Sequence, residues 1–166
     1  VRLVGSEMCI RDSGYTNISQ KIDLDDKYFG EGLTVVNDKI YQLTWKENTV
    51  FVYDKNTFKK LKSYHLDSEG WGICSHKNNL IVSNGSDKLQ FFDSNDFHKT
   101  KEDLSVTYNG KKLKGLNELE CVKDKIYSNV LGDNNIYRID INTGEVDLVV
   151  NTDKIDKSSY SDPNDV

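Results

Sequence analysis

The 166-residue sequence predicts an all-β protein made of repeated four-stranded units, and three observations support this prediction. Apolar and polar residues alternate over short segments rich in tyrosine, valine, isoleucine and threonine, as in half-buried strands. These segments are joined by turns rich in asparagine, aspartate and glycine, whose side chains or backbone freedom favour turns. The whole group of segments recurs downstream at intervals of 40 and then 46 residues.

The repeat interval favours a β-propeller. Four short strands that recur about every 40–45 residues are typical of propeller blades, each of which buries its faces against neighbouring blades. Helical solenoids also repeat at this length, but the sequence lacks the 3.6-residue periodicity that their helices require. We therefore predict a β-propeller fragment of about three four-stranded blades plus one extra outer strand.

The first thirteen residues differ from the rest of the chain. Residues 1–13 contain the only methionine, fit no repeat position, and resemble a translated library-adapter sequence. They also lack the continuous apolar core of a secretory signal. We interpret residues 1–13 as a non-native, adapter-like segment and residues 14–166 as the partial propeller, which leaves the localisation unknown.

The elements then follow in order. Residues 18–24 alternate between apolar and polar side chains and predict the outer edge of a sheet whose beginning is missing. Inner strands open at equivalent positions in three blades, predicted at about residues 29–66, 70–108 and 116–150. The residues that open these inner strands are Leu33, Ile73 and Leu119. The fourth strands are predicted at Lys60–Leu66, Leu104–Tyr108 and Glu145–Val150.

Three blades are too few for a ring, because propellers typically close with 4–8 blades. Either the chain is a fragment of a longer protein, or another chain completes its ends. Ser161–Val166, which we expect to be a turn that leads into an unfinished strand, favours the fragment. Unpaired blade edges offer backbone groups to other chains, so we expect the isolated piece to be poorly soluble.

Composition excludes several functional classes. Acidic residues outnumber basic ones, 27 to 22, and the lysines are dispersed, which argues against nucleic-acid binding. The short cluster Lys111, Lys112 and Lys114 is interpreted as a solvated loop. Apolar runs stay far below the ~20 residues that a membrane-spanning helix requires, so we predict no membrane span.

Cysteine and histidine give no sign of a metal centre or cofactor. The three cysteines have no metal-ligand spacing, and their odd number argues against a disulfide framework. We interpret Cys74 and Cys121 as small buried apolar side chains. The histidines occupy polar, turn-like surroundings without a second ligand nearby, and we assign no chemistry to them: His65, His76 and His98.

Equivalent positions in the three repeats indicate a candidate functional site. Two residues before the inner-strand positions Leu33, Ile73 and Leu119 are Glu31, Trp71 and Asn117. Equivalent positions at the beginnings of inner strands converge on one mouth of the central channel. Three unlike hydrogen-bonding groups there indicate a specialised site, with inter-blade hydrogen bonding as the alternative. The flanking glycines either leave room for a ligand or relieve crowding in a narrow channel: Gly30, Gly32, Gly70 and Gly72.

Several motifs resemble, in order and spacing, the plant and bacterial type of glutaminyl-peptide cyclotransferase. The resemblance covers nearly all of residues 17–166. It implies a five-bladed propeller that converts N-terminal glutamine to pyroglutamate with loss of ammonia and needs no catalytic zinc. Family members are often secreted or periplasmic. The motifs are Tyr28–Thr34, Tyr41-Gln42 with Trp45, Phe51–Asp54, Gly70–Gly72, Ser83–Ser86 and Leu116–Glu120.

The resemblance assigns roles to the nominated residues. It implies that Glu31 is the proton-transfer carboxylate and that Trp71, Asn117 and Trp45 bind the substrate, a peptide or protein with N-terminal glutamine. One departure is Leu131, which stands where the family carries a second active-site tryptophan. Another departure is a Ser-Asn-Gly turn at 83–85 in place of Ser-Asp-Gly. The family's upstream glutamine segment and last-blade lysine segment lie before residue 14 and after residue 166.

The expected chemistry is intramolecular ring closure, in which Glu31 removes a proton and returns it to the leaving group. The Trp71 indole N–H and the Asn117 amide are expected to donate hydrogen bonds to the substrate carbonyl as it becomes an oxyanion. We expect the fragment to be inactive alone. Two alternatives remain: a non-catalytic propeller that binds peptides or proteins, which the changes at Leu131 and Asn84 permit, and a structural repeat with no ligand.

Overall fold

The computed structural model describes residues 2–4, 7–11 and 18–153 and gives side-chain surroundings from residue 21 onwards. Every regular element in these ranges is a β-strand, as the alternating pattern predicts. Within the same ranges there is no helix that could span a membrane.

Three four-stranded antiparallel sheets form the body of the protein, and in each sheet the strands follow chain order. This arrangement confirms the three predicted propeller blades. Blade I contains β4 (Gly30–Val36), β5 (Lys39–Thr44), β6 (Thr49–Asp54) and β7 (Lys60–His65). Blade II contains β8 (Ile73–His76), β9 (Asn79–Ser83), β10 (Lys88–Asp93) and β11 (Leu104–Ser105). Blade III contains β14 (Leu116–Val122), β15 (Lys125–Val130), β16 (Asn135–Asp140) and β17 (Val146–Asn151).

A three-stranded sheet precedes blade I. It is formed by β1 (Arg2–Val4), β2 (Glu7–Arg11) and β3 (Ile18–Asp23), with β2 in the middle. The predicted strand at residues 18–24 is therefore an edge strand. Its one neighbour in this sheet, β2, comes from the segment that we set aside as adapter-like. Backbone pairing of this kind does not depend on side-chain identity. The non-native origin of residues 1–13 stays a prediction, and Ser161–Val166 lies outside the described residues.

Aspartates end the third strand of each blade and hold the following turn. The Asp54 Oδ1 accepts a hydrogen bond from the Thr57 backbone N–H at 2.7 Å. Asp93 does the same for the Asn95 N–H at 2.7 Å. In blade III the Asp140 Oδ1 accepts from the Asn142 N–H at 2.9 Å. These side-chain bonds are the reason that aspartate favours the turn positions in all three copies.

The fourth strand of blade II is shorter than predicted. Instead of one strand over Leu104–Tyr108, β11 ends at Ser105, because the next residue, Val106, turns inward and donates its N–H to the Asp87 carbonyl at 2.8 Å. Val106 is completely buried. The chain then forms a hairpin of β12 (Thr107–Tyr108) and β13 (Lys111–Lys112). Lys111 and Lys112 of the lysine cluster therefore lie on this hairpin, Lys114 lies in the loop that follows it, and all three are exposed.

The core lies between successive blades. Buried apolar side chains of blades I and II form one cluster, and those of blades II and III form another, so each blade covers the face of the next. The interface between blades I and II centres on Tyr41, Leu43, Val52, Leu80 and Val82. The interface between blades II and III centres on Ile81, Phe91, Leu116, Ile126 and Ile139.

A disulfide bond joins Cys74 in β8 to Cys121 in β14, with 5.5 Å between their Cα atoms. The interpretation of these residues as independent buried thiols was therefore wrong. It failed because the odd cysteine count hides a pair once one cysteine, Cys9, stands apart. The sequence separation of 47 residues is close to the 46-residue repeat interval. That near match places the two residues on adjacent inner strands.

Candidate active site

The inner strands of neighbouring blades approach each other through backbone atoms at glycine positions. The Gly32 N–H donates to the Trp71 carbonyl at 2.7 Å. A Cβ atom on Gly72 would lie 2.2 Å from the Asn117 carbonyl oxygen, and one on Gly32 would lie 2.6 Å from the Trp71 carbonyl oxygen. The neighbouring blade therefore occupies the space beside both glycines, and no room for a ligand is left there. Of the two interpretations of the glycines, crowding in a narrow channel holds for this pair.

Ser83 at the end of β9 completes the contact between blades II and III. Its hydroxyl accepts a hydrogen bond from the Gly72 N–H at 2.8 Å and donates one to the Asn117 carbonyl at 2.6 Å. The side chain is completely buried. One hydroxyl thereby fixes the backbone next to Trp71 against the backbone of Asn117.

These backbone contacts bring the nominated side chains to a shared cavity. Glu31, Trp45, Trp71 and Asn117 line a cavity of about 170 Å³ together with Leu131. The structure thus gathers all four predicted site residues in one place. Leu131 is 64% exposed, so it forms part of the open rim rather than a buried wall.

The electrostatics of Glu31 suit proton transfer. Burial, and after it the negative charges of Glu118 and Glu69, together raise the pKa of the Glu31 carboxyl from its ordinary value of 4.5 to about 7. Partial removal from water disfavours the charged form, and nearby carboxylates oppose a further negative charge. Near neutral pH the group is therefore present in both protonation states, and it is able to accept and to return a proton.

Glu69 was missed by the sequence reasoning. Its Oε2 accepts a hydrogen bond from the Trp45 Nε1–H at 2.9 Å and a second one from the Trp71 Nε1–H at 2.9 Å. In this structure the Trp71 N–H, which we expected to donate to the substrate, donates to Glu69. A signal was present: two residues before Trp71, where the other blades have Phe29 and Gly115, this blade carries a carboxylate.

The Trp71 ring also packs against a turn of its own blade. A Cβ atom on Gly85 would lie 2.6 Å from the Trp71 ring, so the indole packs directly on this glycine. Gly85 has a positive φ of 78°, which glycine adopts without strain. The preceding Asn84 Oδ1 accepts hydrogen bonds from the Ser86 N–H at 3.2 Å and from its hydroxyl at 2.6 Å. Asparagine therefore holds this turn with an oxygen that aspartate also offers.

Asn117 contributes a half-buried amide to the cavity while its backbone is held by Ser83. No hydrogen bond of its side-chain amide to another described residue is present. An amide in this state has donors and an acceptor available for a bound molecule.

One group of potential metal ligands occurs elsewhere in the described chain. Oxygen and nitrogen atoms of Asp93, Asp96 and His98 lie within 4.8 Å of one another at the turn after β10. The first two residues hold the turn itself, since Asp93 accepts from the Asn95 N–H at 2.7 Å and Asp96 accepts from the His98 N–H at 3.2 Å. Asp96 and His98 are exposed, and none of the three residues lines the cavity.

Comparisons with known proteins agree with this architecture. A family model described as glutamine cyclotransferase matches residues 5–166. An Arabidopsis thaliana protein named glutaminyl-peptide cyclotransferase is 33% identical over 135 residues, which are 81% of this chain and 41% of that protein. The crystal structure of Myxococcus xanthus glutaminyl cyclase superposes with a TM-score of 0.84 and 25% identity, over 95% of this chain and 68% of that one.

A more distant match concerns the fold alone. Kuenenia stuttgartiensis hydrazine synthase superposes with a TM-score of 0.57 at 14% identity, over 80% of this chain and 39% of that one. The chain thus spans well under half the length of the Arabidopsis relative, 41% of it, and about two thirds of the Myxococcus chain, 68% of it.

Proposed function

Because the chain belongs to the glutamine cyclotransferase family, we propose that the protein containing it is a glutaminyl-peptide cyclotransferase. The reaction converts the N-terminal glutamine of a peptide to pyroglutamate and releases ammonia. The observation that carries the proposal is a carboxyl group with a pKa of about 7, Glu31, in a cavity walled by Trp45, Trp71 and Asn117.

The chemistry joins two parts of one residue of the substrate. The α-amine nitrogen attacks the γ-amide carbon, a C–N bond forms, and the bond from that carbon to the amide nitrogen breaks. Both reacting groups belong to the same molecule, so holding the side chain in a folded conformation supplies much of the rate advantage. In this proposal the two indoles and the Asn117 amide, which line the cavity, hold such a conformation.

Glu31 serves as the proton carrier in this scheme. Its carboxylate accepts the proton that the attacking amine loses, and the resulting carboxyl gives it to the amide nitrogen, which leaves as ammonia. The pKa of about 7 lies close to the ~7.7–8.0 of a peptide α-amine, so transfer between them is nearly balanced in free energy. The negative charges of Glu69 and Glu118 also favour binding of the cationic form of that amine.

Asn117 is the donor that remains for the developing oxyanion, since the Trp71 N–H is bound to Glu69. One such donor contributes about 2.7–4 kcal/mol to transition-state stabilisation. Leu131 offers an apolar contact without a hydrogen-bond donor. The whole of this assignment concerns the protein that contains the chain.

A second function, a propeller that binds peptides without catalysis, is favoured by one observation. Leu131 stands at the cavity rim where the family carries a tryptophan, and it is 64% exposed. Loss of a ring there weakens substrate packing while the rest of the cavity still admits a peptide.

Ammonia release from a glutamine-initiated dipeptide separates the two functions. The protein is expressed from the complete reading frame that contains this chain, with Glu31→Gln as the test variant and the exposed Glu102→Gln as the matched control. We expect turnover by the parent protein and by the Glu102 variant, and a loss of about 10²–10⁴-fold in the Glu31 variant.

Two outcomes contradict the proposal in different ways. Equal turnover by Glu31→Gln removes Glu31 from the mechanism. Absence of turnover in the parent protein, with measurable dipeptide binding by calorimetry, supports the non-catalytic function. In the active protein, kcat/KM is expected to rise as pH increases through about 7, because Glu31 accepts a proton only when it is ionised.

A further inference from the structure

This inference rests on the proposed function and concerns a residue outside the roles assigned above. We propose that Glu69 is a positioning residue that fixes both indole rings of the cavity by accepting their two N–H groups on one carboxylate oxygen.

The first observation is the geometry of the two hydrogen bonds that Glu69 accepts, which together we call the bridge. The two Nε1–H groups lie 2.9 Å from the same Oε2 atom. Trp45 directly follows β5 of blade I, whereas Trp71 lies two residues before β8, the inner strand of blade II. Glu69 therefore spans an interface between blades. Hydrogen bonds to a charged acceptor are roughly twice as strong as neutral ones, so the bridge sets the orientation of both rings.

The second observation is that the backbone around the bridge is itself fixed. The Gly70 N–H donates to the Trp45 carbonyl at 3.1 Å, so the residue next to Glu69 is hydrogen-bonded to the residue that Glu69 orients. The other faces of the rings have further contacts: the Lys46 ammonium lies 4.0 Å from the centre of the Trp45 ring, and Gly85 packs on Trp71. Each indole is thus held at its N–H end and on a face.

The third observation concerns charge. Two carboxylates act on Glu31: Glu118, from β14 of blade III, and Glu69, from the loop before β8. Both raise the pKa of Glu31, with Glu118 having the larger effect and burial exceeding both. Removing the charge of Glu69 while keeping its shape therefore lowers the pKa of Glu31 only in part, and the hydrogen-bonding and electrostatic contributions are separable.

Two variants of Glu69 separate the hydrogen-bonding contribution from the electrostatic contribution. Glu69→Gln keeps a side-chain oxygen that accepts an indole N–H but removes the charge, whereas Glu69→Ala removes both. For the Ala variant we expect KM for a glutamine-initiated dipeptide to rise by about 10–100-fold, because misplaced rings no longer orient the substrate. For the Gln variant we expect a smaller rise in KM and a shift of the acidic limb of the kcat/KM profile to lower pH.

A readout that needs no turnover accompanies the kinetics. In ¹H–¹⁵N spectra of the full-length protein, the two indole N–H resonances are assigned with Trp45→Phe and Trp71→Phe. We expect both resonances to move in Glu69→Ala and neither to move in the control Glu102→Ala, with the backbone spectrum showing that each variant is folded. If Glu69→Ala does not fold, the same two resonances are measured in Glu69→Gln.

The outcomes are distinguishable from those of the proposed function. Indole resonances and KM that stay unchanged in both Glu69 variants overturn the positioning role. Moved resonances with an unchanged acidic limb in Glu69→Gln support the bridge and overturn the expected effect of the Glu69 charge on Glu31. An inactive parent protein whose indole resonances respond as expected retains the bridge and refutes the cyclotransferase activity.

Discussion

The inner strands of the propeller are used differently at their beginnings and farther along. At the beginnings, blades meet through backbone atoms, as where the Gly32 N–H meets the Trp71 carbonyl at 2.7 Å, and unlike side chains face a cavity. Farther along, side chains themselves tie the blades, through the Cys74–Cys121 disulfide and the His76 Nε2 to Asp124 Oδ1 contact at 3.0 Å.

The groups that join the blades are therefore different from the side chains that line the cavity. Backbone hydrogen bonds, a buried serine hydroxyl and the disulfide hold the blades together. The side chains at the cavity are therefore not needed to join the blades and are available for chemistry. Glu31 illustrates this, since the raised pKa of its carboxyl shows that its surroundings disfavour the charged form. We therefore expect changes at the beginnings of the strands to alter turnover, and changes farther along to alter stability without altering turnover.

The largest effect is expected where the backbone contact is closest. In Gly72→Ala the new Cβ would lie 2.2 Å from the Asn117 carbonyl oxygen and 2.8 Å from the Glu118 Cα, so blades II and III have to separate. We expect turnover to fall by about 10²-fold, because the cavity groups move apart. We also expect a loss of about 3 kcal/mol in the free energy of unfolding measured with urea.

The control for this change adds the same methyl group to open space. Gly110→Ala meets nothing within 4 Å, although its φ of 73° strains a residue other than glycine. It is expected to cost about 1 kcal/mol of stability without loss of turnover. Gly72→Ala with parental turnover would contradict the close backbone contact.

The next effect concerns the disulfide. Replacing both Cys74 and Cys121 by serine releases a constraint across 47 residues. We expect the free energy of unfolding to fall by about 2–4 kcal/mol while KM and the pH profile stay unchanged. Reductant added to the parent protein should produce the same loss and should leave the double variant unaffected. Insensitivity of the parent protein to reductant would mean that the bond is not formed.

The smallest effect is a gain in stability at the cavity. The folded pKa of Glu31, about 7, lies above its unfolded value of 4.5, so the folded state binds more protons between these values and stability falls as pH rises through them. Glu31→Gln removes this loss. Because Glu31 is half-exposed, we expect about 1–2 kcal/mol of added stability at pH 8, less than the full shift would give.

A comparison at two pH values tests the sign. At pH 4 the carboxyl is protonated in both the folded and the unfolded chain, so Glu31→Gln and the parent protein should unfold at nearly the same urea concentration. A gain of equal size at pH 4 and pH 8 would attribute the effect to packing instead of charge.

Much of the cavity follows from the repeat in the sequence. Strand periodicity and the 40- and 46-residue intervals place Glu31, Trp71 and Asn117 at equivalent positions, and equivalent positions in stacked blades are neighbours. The resemblance to a known family added Trp45. The repeat does not predict contacts between positions that are not equivalent. Glu69 receives one hydrogen bond from a residue in the preceding blade and one from its own loop.

Local backbone geometry accounts for the other differences. The alternation at residues 104–108 is the same for one strand as for a strand followed by an inward turn, so Val106 could not be distinguished by pattern. The disulfide was missed because cysteine spacing was compared with metal sites and not with the blade interval. The glycines at the mouth were ambiguous, because a close backbone and a close ligand both require the absence of a side chain.

The joining of both indoles at one carboxylate has an optical consequence. The chain contains two tryptophans, and both line the same cavity. Ultraviolet emission excited selectively from tryptophan therefore arises, for this chain, from the cavity wall alone. A peptide that displaces water from those rings should change the colour and intensity of the emission, so that occupancy is observable without an attached dye.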